Sequence, residues 1–347
     1  MSKWMIYGAN GYTGRLIAEE AKKRGLSPIL AGRSEVTCRA LALSLGLESR
    51  IFSCDTVESI GQNLEGISLV LHCAGPFSAT SAPMFESCIQ AGTHYLDITG
   101  EISVFESILS QWQKVRNSGV VAIPGVGFDV VPTDCLAALL KEKMPDATHL
   151  TLAFRPSGGI SAGTAKTMIE GLHQGGAVRR EGKIINVCSG FGVRQITFGK
   201  SPQLAVTIGW GDVSTAFYST DIPNIEVYMA STAQAVRLMK GSRYFKFLLE
   251  KSSVQNFLKK AAGRWIKGPS QSERAKGSCV LWGEVVNAQG AIEVKRLRVP
   301  EAYSFTVTSA LAAVERVLKG TVPPGAWTPS QAFGARFVLE LGGVELP

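Results

Sequence analysis

Residues 4–23 read WMIYGANGYTGRLIAEEAKK. A short apolar run, Trp4 to Tyr7, meets three glycines at Gly8, Gly11 and Gly14, and a helical pattern continues from Arg15 to Lys23. That order is a strand, a glycine turn and a helix N-terminus. Such a turn lets backbone N–H groups approach a pyrophosphate, and the helix dipole favours its negative charge. The spacing is GxxGxxG rather than GxGxxG, so its value rests on where it stands, after a strand and before a helix. Candidate cofactor contacts in this run are Gly8, Asn10, Gly11, Tyr12, Thr13 and Gly14.

The next strand sharpens the reading. Pro28 to Ala31 is apolar and ends in Gly32-Arg33-Ser34. Folds that bind NAD usually carry a carboxylate here for the ribose 2′-hydroxyl. Arg33 stands there instead, and a guanidinium pairs with a 2′-phosphate, with Ser34 adding a hydroxyl. The cofactor expected is therefore NADP(H). Asp55, at the end of the run Arg50 to Cys54, is a candidate for the adenine side.

Working outward, strands and helices alternate through the first 130 or so residues. Expected helices are Glu35–Leu45, Val57–Leu64, Ala82–Ala91 and Ile102–Asn117, and expected strands are Ile67–Cys73, Thr93–Ile98 and Val120–Ile123. Alternation of this kind makes a parallel sheet with helices on both faces, an α/β fold of the Rossmann type, doubly wound. From Pro132 the pattern changes. A helix at Thr133–Lys141 leads to a strand at His149–Phe154, and Thr164–Leu172 reads as helix. Strand-like runs follow at 183–188, 194–198, 204–208 and 224–229, then a hairpin, Cys279–Val286 and Ala291–Val299, turning at Gln289-Gly290. This is a second, α+β domain with a mainly antiparallel sheet, and a helix at Tyr303–Leu318 closes the series.

Composition bounds the function. The chain has 347 residues, enough for two domains, with 45% hydrophobic and 18% charged residues, as in a globular protein. Its net charge of +8 suits anionic ligands. Zinc-finger spacing and a basic arm are both missing, so nucleic acid is not the expected partner. Seven cysteines contain no CxxC pair, and Cys54, Cys73, Cys88 and Cys135 sit in apolar runs as reduced packing residues. Met1 leads straight into the first strand, so a cytoplasmic protein is expected. His72, His94, His149 and His173 lack metal-ligand spacing, so no metal is expected.

Candidate chemistry gathers after the later strands. Ala74, Gly75 and Pro76 follow the fourth strand, where a small residue and a glycine let backbone approach the nicotinamide half of a cofactor. Glu101 follows the fifth strand; it either orients substrate and exchanges a proton or simply complements the next helix dipole. Asp129, in the crossing between domains, is the first choice for a substrate-facing group. Lys166 is a candidate for an anionic substrate or a developing enolate. No GxSxG elbow is present, and no Tyr is followed by Lys four positions on, so the proton donor has no motif. Residues 243–267 interleave Phe, Leu and Trp with Lys and Arg near helical spacing. Such a helix either packs on its own domain or meets an anionic membrane or an acyl carrier.

GANGYTG (8–14), AGR (31–33), HCAGPF (72–77), YLDITGE (95–101), PGVGFDVVPTD (124–134), GTAKTMIEG (163–171), WGEV (282–285) and TVTSALAAVERVL (306–318) together resemble the saccharopine dehydrogenase-like oxidoreductases, and within them the bacterial trans-acting enoyl reductases. The resemblance implies an NADPH-dependent oxidoreductase, reducing an enoyl C=C bond of a lipid or polyketide intermediate. A saccharopine-type amino-acid reductase is the alternative; it would want several arginines converging on carboxylates, for which Arg155, Arg179, Arg180 and Arg194 are available. An NADP(H)-binding scaffold without turnover is the alternative from another class. The resemblance further implies that 132–300 is inserted into a Rossmann domain formed by 1–131 and completed by 301–347, and that the second domain supports a homodimer.

Overall fold

The computed structural model describes residues 2–156, 159–161, 163–165, 169, 175–242, 247, 251–266 and 268–347. Two compact units result. The first contains Met1–Val131 and Phe305–Phe333, the second Pro132–Ser304 and Gly334–Pro347.

The first unit is built on parallel strands. They are β1 (Trp4–Tyr7), β2 (Ile29–Gly32), β3 (Ser49–Ile51), β4 (Leu69–His72), β5 (His94–Asp97) and β6 (Val121–Ile123). Their order across the sheet is 6-5-4-1-2-3, with the short late strand Gly325–Ala326 added beside β6. This is the doubly wound order, and it reverses between β1 and β4. Tyr7 is in register with both Ala31 and His72, so β1, β2 and β4 end together. Strands covered on both faces read as unbroken apolar runs, which is why the sequence located them. β1, β2 and β4 are buried throughout.

The helices between these strands are α1 (Tyr12–Lys23), α2 (Glu35–Leu45), α3 (Val57–Asn63), α4 (Phe77–Ala91), α5 (Ile102–Leu109) and α6 (Trp112–Asn117). Two differ from expectation. α4 begins at Phe77, not Ala82, and carries Pro83 inside it. A proline favours a helix start, so the sequence points too late. The expected helix Ile102–Asn117 is broken at Ser110-Gln111 into α5 and α6. The long helix near the C-terminus buries Val307, Ala310, Leu311, Ala313, Val314 and Val317 in the same core as β1, β2 and β4. It is pinned to the loop after β6, where Phe128 N donates to Thr306 Oγ1 at 2.9 Å and Ser309 Oγ donates to Val126 O at 2.7 Å.

The second unit carries a nine-stranded sheet. Its central strand Ala147–Arg155 pairs in parallel with Asn224–Ala230 and antiparallel with Ser278–Asn287, which forms a hairpin with Ile292–Pro300. The other pairings are antiparallel, as expected. On one face Gly283 admits the helix Val131–Lys143, since a Cβ there would lie 2.6 Å from Leu140 Cδ1. On the other face Ala153, Ile196, Phe198, Ala205, Tyr228, Val280 and Trp282 form a core of their own. Strand Gly176–Arg180 and helix Asp212–Thr220 have no counterpart in the sequence reading. The chain's tail divides between the units. Val344–Leu346 pairs with the strand Ile292–Pro300, which assigns residues from Gly334 onward to the second unit rather than the first.

Candidate functional site

The glycine turn is shaped by close approach. Gly8 has φ +82°, and a Cβ there would lie 2.8 Å from Ala74 N and Cβ. Gly14 allows α1 to sit on the turn, because a Cβ there would lie 2.4 Å from Gly8 O. Gly8 N donates to Ala31 O at 2.8 Å and Gly11 N donates to Gly8 O at 3.0 Å, closing the loop. α1 starts after Gly11 with no side-chain cap and no acidic residue in its first turn. Its leading N–H groups and positive dipole end thus keep their capacity for an anion. Tyr12 and Thr13, half-buried, form the first positions of that helix, and Ala74 faces the turn from the end of β4.

The tip of β2 is organised by a relay that the sequence did not announce. Asn10 Nδ2 donates to Thr37 Oγ1 at 3.0 Å, and Thr37 Oγ1 donates to Ser34 Oγ at 2.8 Å. Gly32 accommodates Asn10, whose Oδ1 would be 3.0 Å from a Cβ at that position. Thr37 lies one helical turn into α2, so only the fold brings it to Asn10. Arg33 projects from this tip, exposed, and forms no ion pair among the described residues. Asp55 is exposed beyond β3. These residues fit a phosphorylated dinucleotide: a cradle that any Cβ would fill, an open helix N-terminus and an uncommitted guanidinium.

Beyond β4 the turn Ala74-Gly75-Pro76 is held from two sides. Glu101 Oε1 accepts from Phe77 N at 2.8 Å and Oε2 accepts from Ser78 N at 2.7 Å. Its carboxylate thereby caps α4, although its backbone opens α5. This is neither role weighed from sequence, and it makes Glu101 a clamp on the turn rather than a group placed for proton exchange. Thr80 supplies the second hold. Its hydroxyl donates to Ala74 O at 2.7 Å, so His72 Nε2, 3.0 Å away, carries a proton and donates to Thr80 Oγ1. His72 is buried and its pKa is lowered to about 3 by desolvation, so the ring is neutral.

Two carboxyls, at the end of β5 and after β6, differ in their company. Asp97 Oδ1 accepts from Thr99 N at 2.9 Å and from Gly125 N at 2.8 Å, while Oδ2 accepts from Tyr95 OH at 2.7 Å. Burial raises its pKa to about 6, against the pull of those donors. Asp129 lies against Gly100, whose added Cβ would be 3.0 Å from Asp129 Oδ2. Its carboxyl takes no hydrogen bond among the described residues, and burial raises its pKa to about 7. Val130, next to it, holds φ 150°, an uncommon angle for a β-branched residue. Lys166 lies outside the described residues.

The comparisons agree with this geometry. The saccharopine dehydrogenase NADP binding domain family matches residues 4–123. Those residues match the saccharopine dehydrogenase NADP-binding domain. The resemblance read from the motifs is borne out, and so is NADP(H) as the cofactor of this domain. A human saccharopine dehydrogenase-like oxidoreductase is 30% identical over 209 residues, 53% of this chain and 49% of the relative. A trans-acting enoyl reductase of Mycobacterium bovis is 28% identical over 185 residues, 48% of this chain and 44% of the relative. The chain spans about half the length of the curated relatives it matches. Saccharopine dehydrogenase (L-Glu forming) of Saccharomyces cerevisiae covers both chains in full with a TM-score of 0.68 at 10% identity, which is a likeness of fold. Among the described residues no helix is long and apolar enough to cross a membrane, and no group of three or more potential ligand side chains could hold a metal ion.

Proposed function

We propose that this protein is an NADPH-dependent oxidoreductase that reduces the enoyl C=C bond of an acyl substrate, with Asp129 as the proton donor. The carrying observation is the Asp129 carboxyl, free of hydrogen bonds among the described residues and with its pKa raised to about 7, in the loop after β6. In a doubly wound sheet that strand end borders the ligand crevice. A general acid works best with a pKa near the working pH, and burial brings Asp129 there. The bound cofactor supplies a hydride. The protein's part is to hold the dinucleotide through the glycine turn and Arg33, to fix the Ala74–Pro76 turn through Glu101 and Thr80, and to present a proton at Asp129.

The relative named for enoyl reduction supports this substrate class. The amino-acid reductase reading is less well served. Arg179 donates to Val213 O and Gly182 O and lies 4.2 Å from the Phe217 ring centroid. Arg180 is paired with Glu226, and Arg194 with Glu284. Three of the four arginines thus serve their own unit, Arg179 through carbonyls and a ring and the other two through ion pairs; Arg155 forms no ion pair among the described residues.

The test is fluorescence titration with NADPH and NADH, followed by turnover of an enoyl thioester with NADPH and of saccharopine with NADP+. Preferential NADPH binding and enoyl turnover whose rate falls as pH rises through about 7 is the expected result. Saccharopine turnover would move the assignment to the amino-acid reductases. NADPH binding without turnover of either substrate would make the chain a cofactor-binding scaffold.

A further inference from the structure

The chain's net charge is not spread evenly along its sequence. Of 36 basic and 28 acidic residues, nine basic and one acidic fall within residues 233–267, so the rest of the chain is neutral. The described residues of this stretch include helix Ala233–Ser242, Phe247 and helix Ser252–Trp265. Large apolar side chains stand in water there: Leu238 is 77% exposed, Phe247 71%, Phe257 70% and Trp265 79%. On the second helix, Lys260 and Arg264 follow Phe257 by three and seven residues, which sets all three on one side, and all are exposed. Lys251 Nζ lies 4.7 Å from the Phe247 ring centroid. Aromatics interleaved with long cationic stems on an outward helix face are costly in water and suited to a boundary between an apolar layer and a layer of anionic groups.

We infer that these two helices and Phe247 form a docking surface for an anionic lipid membrane, with the aromatic rings in the headgroup boundary and the Lys and Arg side chains on lipid phosphates. The charge argument selects this occupant. In the sequence, the protein's entire positive excess falls within the stretch that carries these exposed rings, with Lys251, Lys260 and Arg264 among its described residues, and a Trp at the end of such a helix sits well at headgroup level. Because no described helix can span a bilayer, the contact is peripheral. An enzyme acting on acyl chains would meet its substrate where it docks, although the surface stands independently of that activity.

The experiment is vesicle flotation of the whole protein with phosphatidylcholine alone and with phosphatidylcholine containing phosphatidylglycerol. Flotation with the anionic vesicles only, released by salt, is expected. The double variant Lys260→Glu/Arg264→Glu should lower partition by on the order of tenfold or more, and Phe257→Ala/Trp265→Ala should lower it without removing the salt dependence. These residues are remote in sequence from the cofactor domain, so both variants should melt and bind NADPH like the native chain; that comparison separates lost docking from lost folding. Equal flotation with both vesicle types, or none with either, would overturn the inference. So would binding of a purified acidic acyl-carrier protein, abolished by the charge reversal, with no vesicle binding.

Discussion

The two sheets treat their polar groups in opposite ways. In the second unit charges are matched within the sheet. Arg194 meets Glu284 at 3.1 Å and lies over Trp282 and Tyr228, and Arg180 meets Glu226. In the first unit, Asp97 and Glu101 are satisfied, but three groups near the strand ends are left uncommitted: the Arg33 guanidinium, the N-terminus of α1 and the Asp129 carboxyl. Closed pairs stabilise a fold, and open ones are available to a ligand. The contrast favours the parallel sheet as the place of ligand chemistry and commits Arg179, Arg180 and Arg194 of the second unit to architecture.

The strongest way to break this contrast is at Gly8. Gly8→Val should abolish NADPH binding and destabilise the first unit by about 3 kcal/mol, because a side chain there meets backbone as well as a positive φ. Isothermal titration and thermal melting would report it, and unaltered binding would remove the cradle from the account. Next, Arg33→Ala should weaken NADPH by roughly 2 kcal/mol, about thirtyfold, while NADH affinity stays the same. Equal loss for both cofactors would mean that Arg33 does not read a 2′-phosphate. At the other sheet, Glu284→Gln should cost about 1–2 kcal/mol of stability, since the pair is partly buried, and leave NADPH affinity unchanged. A change in affinity there would dissolve the division between the sheets.

Asp129→Asn gives the smallest effect on stability and the sharpest pH signature. Burial raises this pKa from 3.8 to about 7, so the folded state holds the proton more tightly than the unfolded one. Stability linked to that proton is present below the unfolded value and lost as pH rises towards 7. The neutral amide should therefore stabilise the protein by about 1 kcal/mol at pH 8 and not at all near pH 3, measured by urea unfolding, with partial exposure keeping the gain below the full shift. Turnover of the same variant should fall at every pH.

Much of the first unit was legible because buried parallel strands are continuous apolar runs and glycines mark the turns between them. The start of α4 was not, because Pro83 reads locally as a helix boundary while Glu101, far along the chain, caps the true first turn at Phe77 and Ser78. Thr37 and Thr80 carried no local signal, since a threonine near a helix start is ordinary until its acceptor is known.

By itself, the sequence determined the order of strands and helices in the first unit, the glycine turn and the basic residue at the tip of β2. These are local properties: hydrophobic period, backbone freedom and the sign of one charge. Only the tertiary structure decided which polar groups are satisfied. It turned Glu101 into a cap, gave Asp97 three donors and left Asp129 none, and committed three arginines of the second sheet to partners within their own unit. Hydrogen-bond satisfaction depends on distance across the fold, and spacing along the chain does not contain it.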